Sequence, residues 1–360
     1  MEKRVVIFLS FVSIAAMCAC AAMLVLFPGL HLASLALQER DREDSGRSVL
    51  AMLRDDSQLL QMSEDYMELQ KHQLRLELPG SVDTEDISIT NNYMNREISL
   101  EIPGIGNTYF YDYPMVGTSD NIEDLRYDVD DHVGVINITM NHIYECVTMR
   151  KKNFLYLDFK KPQQVYDYVV AIDAGHGGRA PGANQGEVLE KNLNLEIVQQ
   201  IKKIFDKDKH HIGVYYTRLD DSNPSFEDRV GLANDIKADA FVSVHINSTD
   251  SGRMSGIHGT SVLYLVADKS GESKELAEEC LNRMLANMGS TSKGLVAGDE
   301  IYIIRKSKVP VALCEIGFLT NPEEQRLMRS EQYQKKAAKG IYQGILRKLE
   351  IKGKKKQQKQ

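Results

Sequence analysis

The stretch "VVAIDAGHGGRAPGA", residues 169–183, decides how this chain is read. Four of its first five residues are apolar, as in a strand buried on both faces. The run stops at Asp173, and the next five residues hold one histidine and three glycines. A structural turn uses glycine but has no use for histidine. His176, presented on a bare loop where a core strand ends, is therefore a candidate for chemistry. Sites in open α/β sheets form outside the carboxyl ends of strands, and this is such a position.

Working outward, the pattern downstream alternates between strands and helices. "NLNLEIVQQIKKIF" predicts a helix with Leu193, Ile197, Ile201 and Phe205 on one face. "IGVYYT" reads as a strand, "SFEDRVGLANDIKA" as a helix, and "AFVSVHIN" and "GTSVLYLV" as strands. A helix follows with Leu276, Cys280, Met284 and Met288 at steps of four, and then "EIYIIR" and "PVALCEIGF" read as strands. "NPEEQRLM" starts a helix, with Asn321 as cap, Pro322 at the first helical position and Glu324 three residues after the cap. The expectation over residues 168–350 is an α/β domain with a largely parallel sheet flanked by helices.

Upstream the character changes. Residues 84–162 hold short β-rich runs such as "ISLEIPG", "GVINITMN" and "NFLYLDF", separated by Gly, Asn and Asp turn signals. No cluster of His, Asp or Glu with useful spacing occurs there, so a small β-sandwich that binds or positions something is expected. Residues 38–83 read as a membrane-proximal linker and 351–360 as a basic tail. At the N-terminus, Lys3 and Arg4 precede an apolar run from Val5 to Phe27 broken only by Ser10 and Ser13. That length crosses a hydrocarbon core of about 30 Å and exceeds a signal-peptide apolar region of about 7–15 residues. Residues 1–37 are thus expected to be an uncleaved signal anchor, with the chain beyond about residue 40 outside the cytoplasm. Cleavage, and secretion, is the other outcome there.

Of 360 residues 26% are charged and the net charge is -7, which argues against a nucleic-acid partner. Cys146, Cys280 and Cys314 are widely spaced outside the apolar N-terminus and make neither a disulfide framework nor a cysteine zinc site.

Three more residues converge in kind with His176. His245 lies near the end of "AFVSVHIN", Glu315 lies between Cys314 and Ile316 in an apolar strand, and Glu190 stands just before the first helix. Each alone has a plainer reading: a turn histidine, a core histidine, a partner for an arginine, a charge at a helix start. Together they are two histidines and a carboxylate, a common catalytic zinc set, plus a second carboxylate able to take a proton from water. The spacing matches no short zinc motif, so the residues by themselves imply a metallohydrolase and nothing finer.

The segments "VAIDAGHGGRAPGA", "LEKNLNLEI", "YYTRLDD", "DRVGLAN", "FVSVHINS" and "PVALCEIGFLTNPEEQ" resemble, in order and approximate spacing, the zinc-dependent N-acetylmuramoyl-L-alanine amidases of the amidase-3 type. The resemblance covers Tyr168 to Leu349. It implies Zn2+ held by His176, Glu190 (preferred to Glu187, since it precedes Lys-x-x-Asn-Leu) and His245, with Glu315 as the catalytic residue. Ala174 stands where many relatives have proline. The implied activity is cleavage of the amide between N-acetylmuramic acid and L-alanine of peptidoglycan, at the outer face of the membrane or in the wall. Asp173 and Asn247 are expected to support the ligands. Arg218 and Arg229 are read either as binders of substrate carboxylates or as structural ion pairs. The β-rich region stands where many such amidases carry a wall-targeting domain. The alternative is a catalytically silent, membrane-anchored peptidoglycan-binding protein with the same fold. A zinc peptidase cutting within the stem peptide shares the metal chemistry. A regulatory protein partner is left open.

Overall fold

A computed structural model of the chain describes residues 65–357, with side chains to residue 350. The expected signal anchor at 1–37, residues 38–64 of the expected linker and residues 358–360 of the tail lie outside the described residues. Among the described residues, no helix is long and apolar enough to cross a membrane.

The chain divides into two compact units. In the first, residues Leu74–Glu77 pair antiparallel with the strand that begins at Phe154, Leu74 facing Leu157, and with Val116–Gly117. The second unit takes in residues 78–114, 119–149 and 158–360.

The second unit contains a six-stranded sheet built from β1 (Tyr168–Ala174), β2 (Ile212–Tyr216), β3 (Ala240–Asn247), β4 (Thr260–Tyr264), β5 (Ser292–Ala297) and β6 (Val311–Phe318). Its order is β2-β1-β3-β6-β4-β5. The pairings from β2 through β6 are parallel, but β4 runs antiparallel to β6, so the sheet is mixed. The cause is the connection before β4. A parallel return needs a crossover of about a dozen residues or more, usually a helix. Residues 248–259 contain no helix, so β4 begins at the end of the sheet where β3 stops.

The helices α1 (Glu190–Phe205), α3 (Glu272–Met288) and α5 (Glu331–Gln357) share one apolar core with the sheet, into which Leu193, Ile197 and Ile201 are buried as their spacing predicts. Helix α2 (Phe226–Asp235) packs into a second core with Val169, Ala171, Tyr215 and Phe241. Ile143 is buried in that same core, and Tyr93 and Met94 pack against it. The β-rich part of this unit, an antiparallel sheet of Ser88–Asn92, Glu97–Pro103, Val133–Met140 and Ile122–Asp130, is thus fastened onto the α/β part. Polar clasps hold it. Asp235 accepts from Ile143 N at 2.9 Å and meets His142 Nδ1 at 2.5 Å. Glu145 accepts from the hydroxyls of Tyr93, at 3.2 Å, and Tyr215.

Two local expectations fail. "EIYIIR" is not a strand: Tyr302–Arg305 is a short helix whose Ile303 and Ile304 are both buried. A short apolar run does not distinguish a strand from a helical turn, and here the tertiary packing decides. The strand β5, unforeseen, is a sheet edge whose sequence "SKGLVA" leaves its ends exposed. Helix α4 (Pro322–Met328) starts as expected, with Asn321 Oδ1 accepting from the backbone of Glu323 and Glu324. Glu324 itself does not turn back on the cap. Its buried carboxylate accepts from Gly259 N and Phe318 N, tying the start of β4 to the end of β6.

Candidate active site

Sheet register brings the candidate residues together. In the parallel pair β3/β6, His245 stands directly beside Glu315. β1 ends one residue before Gly175, whose N–H still donates to Val244 O at 3.1 Å, so the loop carrying His176 leaves the sheet next to β3. Helix α1 then delivers Glu190 at its first position.

The ligand atoms of His176, Glu190 and His245 lie within 4.8 Å of one another. Glu190 Oε1 is the hub, 3.2 Å from His176 Nε2 and 2.9 Å from His245 Nδ1. Backbone donors fix this carboxylate: Ile246 N to Oε1 at 3.1 Å and Ala183 N to Oε2 at 2.8 Å. Burial would raise the Glu190 pKa, but the hydrogen bonds and charge of the two histidines outweigh it, and the net shift is downward. Burial pushes His245 the other way, yet Glu190, then Glu315 and Asp173, raise it on balance. These three side chains suit zinc: borderline nitrogen ligands and one carboxylate oxygen.

Glu315 differs. Burial raises its pKa to about 7, with the Glu190 charge adding to the rise and His245 opposing it. Its Oε2 is buried and has no hydrogen-bond partner among the described residues. An orphaned carboxylate oxygen beside His245 is costly unless it has a task.

Two glycines are required by close approach. A Cβ on Gly175 would lie 2.3 Å from the His245 ring, and one on Gly182 would lie 2.4 Å from Glu190 Oε2 and 2.7 Å from His176 Cδ2. Gly182 also has a φ of +68°, strained for any other residue. Gly182→Ala is expected to push Glu190 and His176 at once and weaken metal binding about 10–100-fold, the range seen when support of metal-binding side chains is lost. Competition against a chromogenic chelator measures this; unchanged affinity would mean that the loop yields without moving the ligands.

The arginines resolve as scaffolding. Arg229, with Asp173 buried beside it at 2.6 Å, also donates to the carbonyls of Ala174 (2.8 Å) and His176 (2.7 Å). Arg218 donates to the carbonyls of Ala174, Gly175, Lys191 and Asp220. Neither guanidinium is left to hold a substrate carboxylate. Asp173 also accepts from Thr217 Oγ1 at 2.6 Å and Ser243 Oγ at 2.5 Å. Burial raises its pKa, but Arg229 and the two hydroxyls more than compensate, so it stays ionised. Asn247 does not join the cluster; its side chain accepts from Ser248 N.

Sequence reasoning did not foresee Asn194, whose Nδ2 donates to Gly175 O at 3.1 Å and to Glu190 Oε1 at 3.3 Å. Its place four residues after Glu190 on one helix was the available signal. It also missed Lys191, which holds Gly178 O at 2.9 Å and Asp221 at 2.7 Å.

Residues 170–347 match the family model described as N-acetylmuramoyl-L-alanine amidase. The germination-specific N-acetylmuramoyl-L-alanine amidase of Bacillus subtilis is 31% identical over 199 residues, 51% of this chain and 81% of that protein. The chain belongs to the N-acetylmuramoyl-L-alanine amidase family. Protein YqiI of Bacillus subtilis is 34% identical to this amidase over 49% of the chain and 82% of its own length. The crystal structure of the amidase from Clostridium difficile 630 covers 51% of the chain and 97% of itself, with 34% identity and a TM-score of 0.48. The family match lies wholly within the α/β part and includes all four candidate residues.

Proposed function

We propose that this chain is a zinc-dependent hydrolase that cuts the amide between N-acetylmuramic acid and L-alanine in peptidoglycan. Family membership supports the reaction, and the convergence of His176, Glu190 and His245 beside an orphaned Glu315 carboxylate supports the assignment of residues. Zinc held by the three ligands would supply Lewis acidity, making water nucleophilic near neutral pH and polarising the lactyl carbonyl.

The chain's own residues perform the remaining steps. Glu315 receives the proton of the attacking water on Oε2 and returns it to the departing amine of L-alanine. Its raised pKa suits both halves of that exchange, because a group poised near the working pH gives and takes a proton with little penalty. Arg218, Arg229 and Asn194 keep the His176 loop from moving as charge develops. We place the enzyme outside the cytoplasm, held at the membrane, a placement supported by Lys3 and Arg4 before the apolar run 5–27.

The test incubates the protein with purified peptidoglycan and identifies newly freed amino groups by mass spectrometry. New N-terminal alanine should appear, vanish on chelation and return with added zinc. Release of a different residue would make the protein a stem-peptide peptidase. No release from protein shown to carry zinc would leave a wall-binding protein.

A further inference from the structure

A groove of about 960 Å3 runs beside the site, within the second unit. It lies between the edge strand β2 with the loop after it, and the edge strand Ser88–Asn92 with its turn to Asn95. Both strands end their sheets, so alternate peptide groups of each have no strand beside them and face outward. In β2 the inward set is known from Thr217 N, which donates to Ile172 O at 3.0 Å. The outward set is therefore that of Val214 and Tyr216, both lining the groove.

The groove's charge is largely spent. Asp206 is bound by Lys202 at 2.8 Å, Asp228 is held in the Ser225 cap, and Arg218 is consumed by backbone carbonyls. What remains is amide and hydroxyl: Thr90, Asn92 and Asn95, the Tyr216 ring being packed against the core. Neither the Asn95 nor the Thr90 side chain is engaged with any described residue, and both residues are exposed. One end of the groove abuts the ligand loop. Ser222 O lies 2.1 Å from where a Cβ on Gly177 would be, and Asn223 Oδ1 accepts from Arg229, the residue that holds His176 O.

We propose that this groove binds the glycan strand of the substrate, through neutral sugars that carry acetamido groups. The inference rests on the peptidoglycan reading above. Backbone N–H and C=O groups on strand edges that no described strand pairs, together with side-chain amides, match the acetamido N–H and C=O of each sugar. The volume lies within the range of about 300–1,000 Å3 usual for small-ligand sites. Lys202 is engaged by Asp206 and Arg218 by backbone carbonyls, so a polyanion finds no free cation among the described lining residues. The sugar held in the groove fixes the lactyl amide relative to the His176 loop, so binding energy remote from the cut bond serves the reaction.

The test uses a tetramer of β-1,4-linked N-acetylglucosamine, which has no peptide, with wild type, Thr90→Arg to fill the groove and Asn95→Ala. Calorimetry or saturation-transfer NMR should show binding by wild type that weakens about tenfold or more in Thr90→Arg, a loss of one good contact set. Hydrolysis should fall about tenfold on long glycan strands and stay unchanged on a minimal muramoyl-peptide, which also reports that the variants are folded. No tetramer binding by wild type, binding untouched by Thr90→Arg, or displacement by free stem peptide would each overturn the proposal. The binding arm needs no turnover. A wild type that binds the tetramer but releases no alanine would therefore refute the hydrolase reading and not the groove.

Discussion

Glu315→Gln should lower the turnover of peptidoglycan by about a thousandfold, within the range of about 10²–10⁴ that a positioned general acid–base supplies. The amide keeps the volume of the carboxyl but cannot take the proton of water. Because burial already biases Glu315 toward its neutral form, with a pKa of about 7, the neutral substitute should not disturb the fold. Zinc content and melting temperature should therefore stay at wild-type values while new N-terminal alanine disappears. Those three readings together separate a catalytic loss from a structural one. Retained activity would move the proton-transfer role elsewhere, and a variant that had lost its zinc would make Glu315 a support of the metal set.

Arg229→Met should cost about 3–5 kcal/mol of stability, the penalty for breaking a buried ion pair and leaving one charge behind. Asp173 is fully buried and Arg229 has 3% exposure, so water cannot take over either role. At roughly 2–4 °C per kcal/mol for a chain region of this size, the melting temperature should fall by about 10 °C. Zinc affinity should fall as well, because the same guanidinium holds the carbonyls of Ala174 and His176. Adding Asp173→Asn to this variant should recover part of the stability by removing the stranded charge, while the carbonyls remain unheld and zinc binding stays weak. A loss below about 1 kcal/mol in the single variant would contradict the buried pair.

Much of the site was legible because its residues break local rules. His176 interrupts a strand-to-loop transition with an imidazole, and Glu315 puts a charge into the apolar run "VALCEIGF". Such violations need no contacts to be noticed, since an apolar strand carrying a carboxylate is expensive in any fold. The order of strands and helices was readable for the same reason: periodicity is a property of the chain itself. "EIYIIR" shows the limit. Two adjacent isoleucines satisfy a strand or a helical turn equally, and the choice fell to the core against which Ile303 and Ile304 pack.

The sequence by itself determined an α/β domain and set two histidines and two carboxylates in or just after its strands and at the start of a helix. Only the tertiary structure decided that Glu190 Oε1 joins the two histidines, that Glu315 has an orphaned oxygen, and that Arg218 and Arg229 are spent on the loop's backbone. It alone set β4 against β6 and fastened the β-rich sheet to the α/β part through Asp235 and Glu145. The physical reason is range. Propensity and periodicity act over a few residues, whereas Arg229 meets Asp173 56 positions away and His245 meets Glu190 55 positions away. Those partners exist only after sheet register has brought distant strands side by side.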